Sequence, residues 1–287
     1  MPSSPPPPRL DPMIGQSTGV VGPTDVEARL AASGEGDVAS LLIELAHEAA
    51  SFAHPPMSDF HVGAAVVGGT GAAYFGANLE LDGAPLHLAV HAEQTAVVNA
   101  LMHGERTIRA LGANAAPCGH CRQFLQELGS ESILVATPKA TYALHDLLPA
   151  PFLPSALGVS ADALSSGPEP APAPAPPRSL AEAAVTAAAL SHAPYTESPA
   201  GVALELHDGS IVTGAYIESA AYNPSLDALR GALALARFRG WPENPVDRVA
   251  LAHSSTCRID HTHALRHTLA WLPNEPDTVE VHAIDSL

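Results

Sequence analysis

The sequence predicts an α/β fold, a three-layer arrangement of a mixed sheet with helices on both faces, present twice with the second copy degenerate. Three observations carry this. Strand-like and helix-like apolar runs alternate along the first half, the pattern of layered α/β domains. A Pro-Ala segment, Ser165 to Arg178, interrupts the chain; it is extended and semi-rigid and cannot join a packed core. Residues after it repeat residues before it in one register: His54 and His192 are separated by 192 − 54 = 138, as are Pro56 and Pro194, Gly63 and Gly201, Gly71 and Gly209, Gly76 and Gly214, and Glu80 and Glu218. The glycines weigh most in that comparison, and are expected at matching hairpin positions.

The elements follow in order. Residues 1–36 are rich in Pro, Gly and Ser and read as a mostly disordered tail, with a short helix-like piece around Val26 to Leu30. Val38, Leu41, Leu42, Leu45, Ala49 and Phe52 have helical spacing, Asp37 is positioned to cap that helix, and Pro55 and Pro56 stop it. Two apolar runs flanking Gly68-Gly69-Thr70-Gly71 predict a hairpin. A helix is expected over His91 to His103, a strand over Thr107 to Ala113, a helix over Gly119 to Leu128 and a strand over Ser132 to Ala136. The expected organisation is a tail at 1–36, a first domain at 37–157, a linker region at 158–178 and a degenerate second domain at 179–287.

Composition narrows the function. Hydrophobic residues make up 46% of the 287, enough for a sizeable core, and aromatics only 5%, so small side chains must pack it. The net charge of −17 opposes polyanion binding, which needs a basic surface that releases counterions. Three cysteines, two of them close together, are not a disulfide framework and suggest metal or redox chemistry in a reducing compartment. No apolar run reaches membrane-span length, and the first residues lack a secretory pattern, so the cytosol is the expected location.

The chemistry concentrates in His91-Ala92-Glu93 and Pro117-Cys118-Gly119-His120-Cys121. Alone, C-x-x-C fits a redox pair or half of a structural zinc site. With one histidine it gives three ligands and leaves a fourth tetrahedral position open, as a catalytic zinc requires. H-x-E with P-C-x-x-C is the signature of zinc deaminases. Cys118 and Cys121, three apart, share one face of a helical turn at a helix start, where exposed N–H groups favour thiolates. Glu93 lies about 200° around the helix from His91, poorly placed to chelate the same ion and free to move protons. The other histidines of the first half, His120 included, read as ordinary polar or interface residues.

The stretch SDFHVGAAV, GANLEL, VHAEQTAV and PCGHCRQFLQEL, from Ser58 to Leu128, resembles the cytidine deaminases of the homodimeric, two-repeat class. A weaker likeness covers HAPYTESPAGVALE and ESAAYNPSL in the second half. The shorter tetrameric class typically reads CAER with three Cys ligands; this chain reads HAEQ. The resemblance implies one zinc per chain on His91, Cys118 and Cys121, with Glu93 as proton shuttle. It implies that Asn78 and Glu80, with Leu79 between them, meet the ribose 3′-hydroxyl, that Phe60 packs on the pyrimidine, and that the Ala92 backbone lies near the base carbonyl. The implied reaction is hydrolytic deamination of free cytidine and deoxycytidine to uridine and deoxyuridine in pyrimidine salvage, by a homodimer with no nucleic-acid or membrane partner.

Three other readings fare less well. A polynucleotide deaminase needs a basic channel, a nucleotide deaminase needs Arg or Lys near the ribose segment, and a zinc scaffold needs a fourth ligand; none is evident. After the linker, a register of 227 − 91 = 136 sets Asp227 against His91 and Leu229 against Glu93, and no P-C-x-x-C occurs there. The second copy is expected to be catalytically silent and to build the dimer, with Glu218 to Tyr222 bordering the partner's active site. Cys257 is expected as a small buried side chain rather than a ligand.

Overall fold

The computed structural model describes residues 18–32, 37–129, 133–160 and 177–285. The tail before residue 18 and most of the Pro-Ala linker lie outside the described residues. Residues 20–32, expected as tail, are built into the fold: strand β1 (Val20–Val21) pairs with β3 (Ala73–Ala77), and α1 (Pro23–Ala32) follows it. Val26 is the residue of α1 that is buried, and Arg29 reaches Glu48 on α2 (Val38–Ala49) at 2.9 Å. The helix-like piece expected around Val26 to Leu30 is α1, whereas β1 is not expected from the sequence, because two strand residues leave no periodicity to read.

Asp37 caps α2, accepting from the amides of Ala39 and Ser40. Strand β2 (Gly63–Gly68) forms the expected hairpin with β3. Helix α3 (Ala92–Met102), β4 (Ile108–Ala113), α4 (Gly119–Phe124), β5 (Leu134–Ala136), β6 (Thr141–Ala143) and the single turn α5 (Leu144–Leu147) complete the first unit. Its sheet order is β1-β3-β2-β4-β5-β6, antiparallel except for the parallel β4–β5 pair.

The second unit repeats the plan. Helix α6 (Leu180–Ala188) precedes the hairpin β7 (Ala200–Leu206) and β8 (Ile211–Ala215), then α7 (Ala228–Ala236), β9 (Val246–Ser254), α8 (His261–Leu269) and β10 (Thr278–Ile284). Its order, β10-β9-β7-β8, again has one parallel pair, β9 with β10. Even the irregularities recur: the ladder shifts register at Val67/Gly68 and at Glu205/Leu206, 138 residues apart.

The repeated glycines divide into two kinds. Gly71 and Gly209 sit in the hairpin turns with φ of +87° and +81°, where glycine is unstrained. Gly63, Gly76, Gly201 and Gly214 are not turn residues. They lie within strands where a helix crosses the sheet, and a Cβ on Gly63 would lie 2.0 Å from the Ala46 carbonyl of α2, one on Gly76 2.0 Å from the Ala92 carbonyl of α3. Gly76 is the cross-strand partner of Ala64, next to Gly63, so the two glycines open opposite faces of the sheet. Gly201 and Gly214 do the same for α6 and α7. These contacts place one helix on each face and produce three layers, twice.

The units share one core. Helix α3 is buried from Ala92 to Leu101, with β3 on one side and α7 of the second unit on the other. Phe52 meets Phe238 edge-on at 4.8 Å, and the buried Arg237 donates to the Phe52 carbonyl at 2.9 Å. Glu127, buried in the first unit, accepts from Tyr195 Oη at 2.6 Å and from the Ala220 amide at 2.8 Å, and sits 3.2 Å from His192 Nε2. Among the described residues, no helix is long and apolar enough to cross a membrane.

Candidate metal centre and substrate cavity

His91 and Cys118 occupy N-cap positions, of α3 and α4 respectively, and Cys121 lies in the first turn of α4. Two helix starts thus aim three ligand atoms at one point. Cys118 Sγ and Cys121 Sγ are 3.8 Å apart, and they lie 3.4 and 3.3 Å from His91 Nδ1. Tetrahedral zinc, with bonds of about 2.3 Å to sulfur and about 2.0–2.1 Å to nitrogen, requires about 3.8 Å between sulfurs and about 3.6 Å between sulfur and nitrogen. The donor set fits such an ion within a few tenths of an ångström. Among the described residues this is the group of His, Cys, Asp and Glu side chains that converges closely enough to hold a metal.

The electrostatics agree with that chemistry. Cys118 is held down to about 3, chiefly by the hydrogen bond it receives from the Cys121 thiol, with a further bond from His91. Cys121 is pushed up because it holds the proton of that pair. His91 is raised, its proton stabilised by the Cys118 sulfur. A divalent cation held by these three groups would take both sulfurs as thiolates and the imidazole as neutral, releasing the protons they carry.

Glu93 is only 4% exposed, and burial pushes its carboxyl above the ordinary range. It lines a cavity of ≈ 260 Å³ together with His91, Ala92 and Cys118. Phe60, Asn78, Leu79 and Glu80 line the same cavity. Of the nine residues singled out from the sequence, Cys121 alone is absent from that lining; it is fully buried beside it.

The cavity walls are organised by side-chain bonds that the sequence did not reveal. Asn78 Oδ1 accepts from the Val62 amide and Nδ2 donates to the Phe60 carbonyl, both at 2.9 Å. That amide therefore ties down the segment carrying Phe60. Glu80 Oε2 accepts from the amides of Met57 and Ser58 at 2.9 and 3.0 Å. Leu79, between them, is 1% exposed and bridges to both His54 and Val90. Phe60 is 59% exposed, too open for a core residue and oriented along the cavity wall.

Two further groups escaped sequence reasoning. His120, read as an ordinary polar residue, stacks on His91 with ring centroids 5.3 Å apart. Gln94 Oε1 accepts from the His91 amide at 3.3 Å. The signal for Gln94 was present, since a Gln at the third helical position is a capping residue.

The equivalent place in the second unit is closed. Asp227 caps α7, accepting from the Arg230 amide at 2.9 Å and pairing with the Arg230 guanidinium. Tyr216, at the position of Asn78, lies edge-on to His261 at 4.9 Å, and the void among Asp227, Leu229 and His261 is ≈ 10 Å³. Cys257 is half-buried, with its sulfur 3.4 Å from His253 Nδ1 and 3.1 Å from the Ile259 carbonyl.

Two family models match the chain, both described as the cytidine and deoxycytidylate deaminase zinc-binding region, over residues 37–137 and 144–266. Similar solved structures include cytidine deaminases from Mycobacterium tuberculosis, at 36% identity over 40% of this chain and 98% of that one (TM-score 0.37), and from Burkholderia pseudomallei, at 34% over 39% and 97% (TM-score 0.36). The cytidine deaminase from Mycobacterium leprae matches at 28% over 39% and 98% (TM-score 0.37). Each of these chains is less than half as long as this one.

Proposed function

Given that the chain belongs to the cytidine and deoxycytidylate deaminase zinc-binding family, as a hydrolytic deaminase with two repeats, we propose that its substrates are free cytidine and deoxycytidine. The products are uridine or deoxyuridine and ammonia, which places the enzyme in pyrimidine salvage. One observation carries the choice of nucleoside over nucleotide or polynucleotide. The cavity that holds Glu93 is lined by Phe60, Asn78 and Glu80, and by no Lys or Arg; a phosphate entering it would meet a carboxylate. The net charge of −17 points the same way.

The residues take these roles. His91, Cys118 and Cys121 would hold one zinc, which when bound would supply a water of lowered pKa as nucleophile. The Glu93 carboxylate accepts a proton from that water and delivers it to N3 of the pyrimidine, which makes C4 electrophilic. The same carboxylate then takes the proton of the hydroxyl now on C4 and passes it to the amino group, which leaves as ammonia as the C4–N bond breaks and C4 becomes a carbonyl. The raised pKa of Glu93 suits a group that must both take and give a proton near neutrality. Phe60 stacks on the base, and the Ala92 backbone meets the base carbonyl. Asn78 retains one N–H and one lone pair beyond its bonds to Phe60 and Val62, and Glu80 retains Oε1; these meet the ribose 3′-hydroxyl, with Leu79 fixing the strand between them.

Residues 37–157 form the catalytic unit. Residues 179–287 form a silent copy that completes a homodimer in the cytosol. Leu86 and Tyr222 support that interface, being 77% and 62% exposed apolar side chains. Within the segment Glu218 to Tyr222, Glu218, Ser219 and Ala220 are buried, so Tyr222 is the side chain free to border a partner's site. Ammonia release measured in parallel on cytidine, deoxycytidine, CMP and a cytosine-containing oligonucleotide tests the substrate class. Turnover of the two nucleosides alone is expected, and faster turnover of CMP overturns the reading. Metal analysis with light scattering should give one zinc per chain and a dimer; two zinc ions per chain or a fully active monomer rules the arrangement out.

A further inference from the structure

The two repeats meet at the starts of α3 and α7, and there each sends one side chain across to the other. Gln94, in the first turn of α3, donates from Nε2 to the Pro224 carbonyl at 2.9 Å, in the loop that leads into α7. Arg230, in the first turn of α7, donates from Nη1 to the His87 carbonyl at 3.1 Å, in the loop that leads into α3. The two residues occupy the same place in their repeats, since 230 − 94 = 136, the register that sets Asp227 against His91. The contacts are therefore reciprocal.

We propose that Gln94 and Arg230 form a reciprocal clamp through which the second repeat positions His91 for zinc within the same chain. The proposal rests on the reading of His91 as a zinc ligand. The loop from His87 to His91 is held at three points. Arg230 holds the His87 carbonyl, Val90 exchanges two backbone bonds with Leu79, and Gln94 Oε1 receives the His91 amide. Two of the three depend on the second repeat, because Gln94 is itself anchored on Pro224. Gln94 is 2% exposed, so neither of its bonds is exchanged with water. Arg230 is oriented by Asp227, the residue that stands where the first repeat has its histidine. The position that lost a ligand thus orients the arm that supports the remaining one. Groups that orient a metal ligand from behind change metal affinity about 10–100-fold when removed.

The test is the rate at which zinc leaves the full-length, zinc-loaded protein for a chelator, read alongside the melting temperature. Arg230→Met keeps most of the stem and removes the donor. Gln94→Glu keeps an acceptor for the His91 amide and removes the donor to Pro224. Each is expected to release zinc roughly tenfold faster or more. Phe238→Leu, which trims the inter-repeat core away from the loop, should lower the melting temperature without speeding release. Arg230→Lys, which keeps the charge on a single donor group, should fall between wild type and Arg230→Met, and carries the same readout if Arg230→Met does not fold. Release at the wild-type rate from the clamp variants, or equal acceleration in Phe238→Leu, overturns the clamp. If wild type binds no zinc, or His91→Ala retains it, the ligand reading fails instead.

Discussion

The start of α3 and the start of α7 have the same backbone and opposite chemistry. Leu79 exchanges two backbone hydrogen bonds with Val90, and Ile217 does so with Leu226. Glu80 receives the amides of Met57 and Ser58, and Glu218 those of Tyr195 and Thr196. Against that shared frame, His91 becomes Asp227, Glu93 becomes Leu229 and Asn78 becomes Tyr216. A ≈ 260 Å³ cavity in one repeat shrinks to ≈ 10 Å³ in the other. Most of what survives in both copies builds the fold, with Glu80 both holding a turn and lining the cavity; His91, Glu93 and Asn78 line the open cavity of the first copy, where Asp227, Leu229 and Tyr216 cap a helix or fill space in the second. The comparison thus separates structural from functional residues within a single molecule.

The sharpest way to break the comparison is to give the first repeat the residue of the second. His91→Asp keeps a good N-cap, as Asp227 shows for α7, but replaces the nitrogen ligand by a shorter side chain. Folding should survive while zinc and measurable turnover are lost. Circular dichroism, metal content and ammonia release check this together; a zinc-loaded, active variant would show that the two positions are not chemically distinct.

Glu93→Leu is the next exchange. Leucine stands at the matching position of α7 and fills similar volume, so the variant should keep zinc and lose turnover by about 10²–10⁴-fold. It should also change the pH dependence of the metal-free protein. Burial raises the Glu93 carboxyl above its unfolded value. The folded state therefore binds the proton more tightly, and the contribution to stability is complete below the unfolded value and lost as pH rises through the folded one. Thermal melting of the apo protein across that range should fall with pH in wild type and flatten in the variant.

Where the copies agree, substitutions should hurt both alike. Gly63→Ala places a Cβ 2.0 Å from the Ala46 carbonyl, and Gly201→Ala places one 2.1 Å from the Ala188 amide nitrogen. Backbone stands in the way each time, so each should cost about 3 kcal/mol or more in urea unfolding. A large cost in one repeat alone would mean that the second copy is held less tightly than its geometry indicates.

Much of this was legible in the sequence because the signals were local. Asp37 before an apolar-periodic run, a glycine cluster between two strands, and H-x-E with C-x-x-C each state their geometry within a few residues. The family matches and the converging His91, Cys118 and Cys121 bear out the zinc reading. The long-range contacts were not legible. Nothing near residue 20 announces a partner at Tyr74, nothing in Glu127 announces Tyr195, and Gln94 gives no sign of Pro224. The repeated glycines are expected at matching hairpin positions and lie there, Gly71 and Gly209 in the turns and Gly63, Gly76, Gly201 and Gly214 in the strands, where the reason for them is a crossing helix. Sequence shows that a side chain must be small; only the packed helix shows why.

The smallest expected effect is also the most discriminating, because it concerns a residue present in both copies. Glu80 and Glu218 each hold a turn through two amides, so Glu80→Gln and Glu218→Gln should each weaken that turn, by about 1 kcal/mol. Only Glu80 lines the open cavity. If its second oxygen meets the ribose, Glu80→Gln should also raise KM for cytidine by about tenfold, equivalent to about 1.4 kcal/mol, while Glu218→Gln leaves KM alone. A 3′-deoxy analogue sharpens the point: wild type should discriminate against it, and the Glu80 variant should discriminate less, since its hydroxyl partner is already gone. Equal KM in the two variants would assign Glu80 to the turn alone and leave Asn78 as the residue to carry ribose recognition.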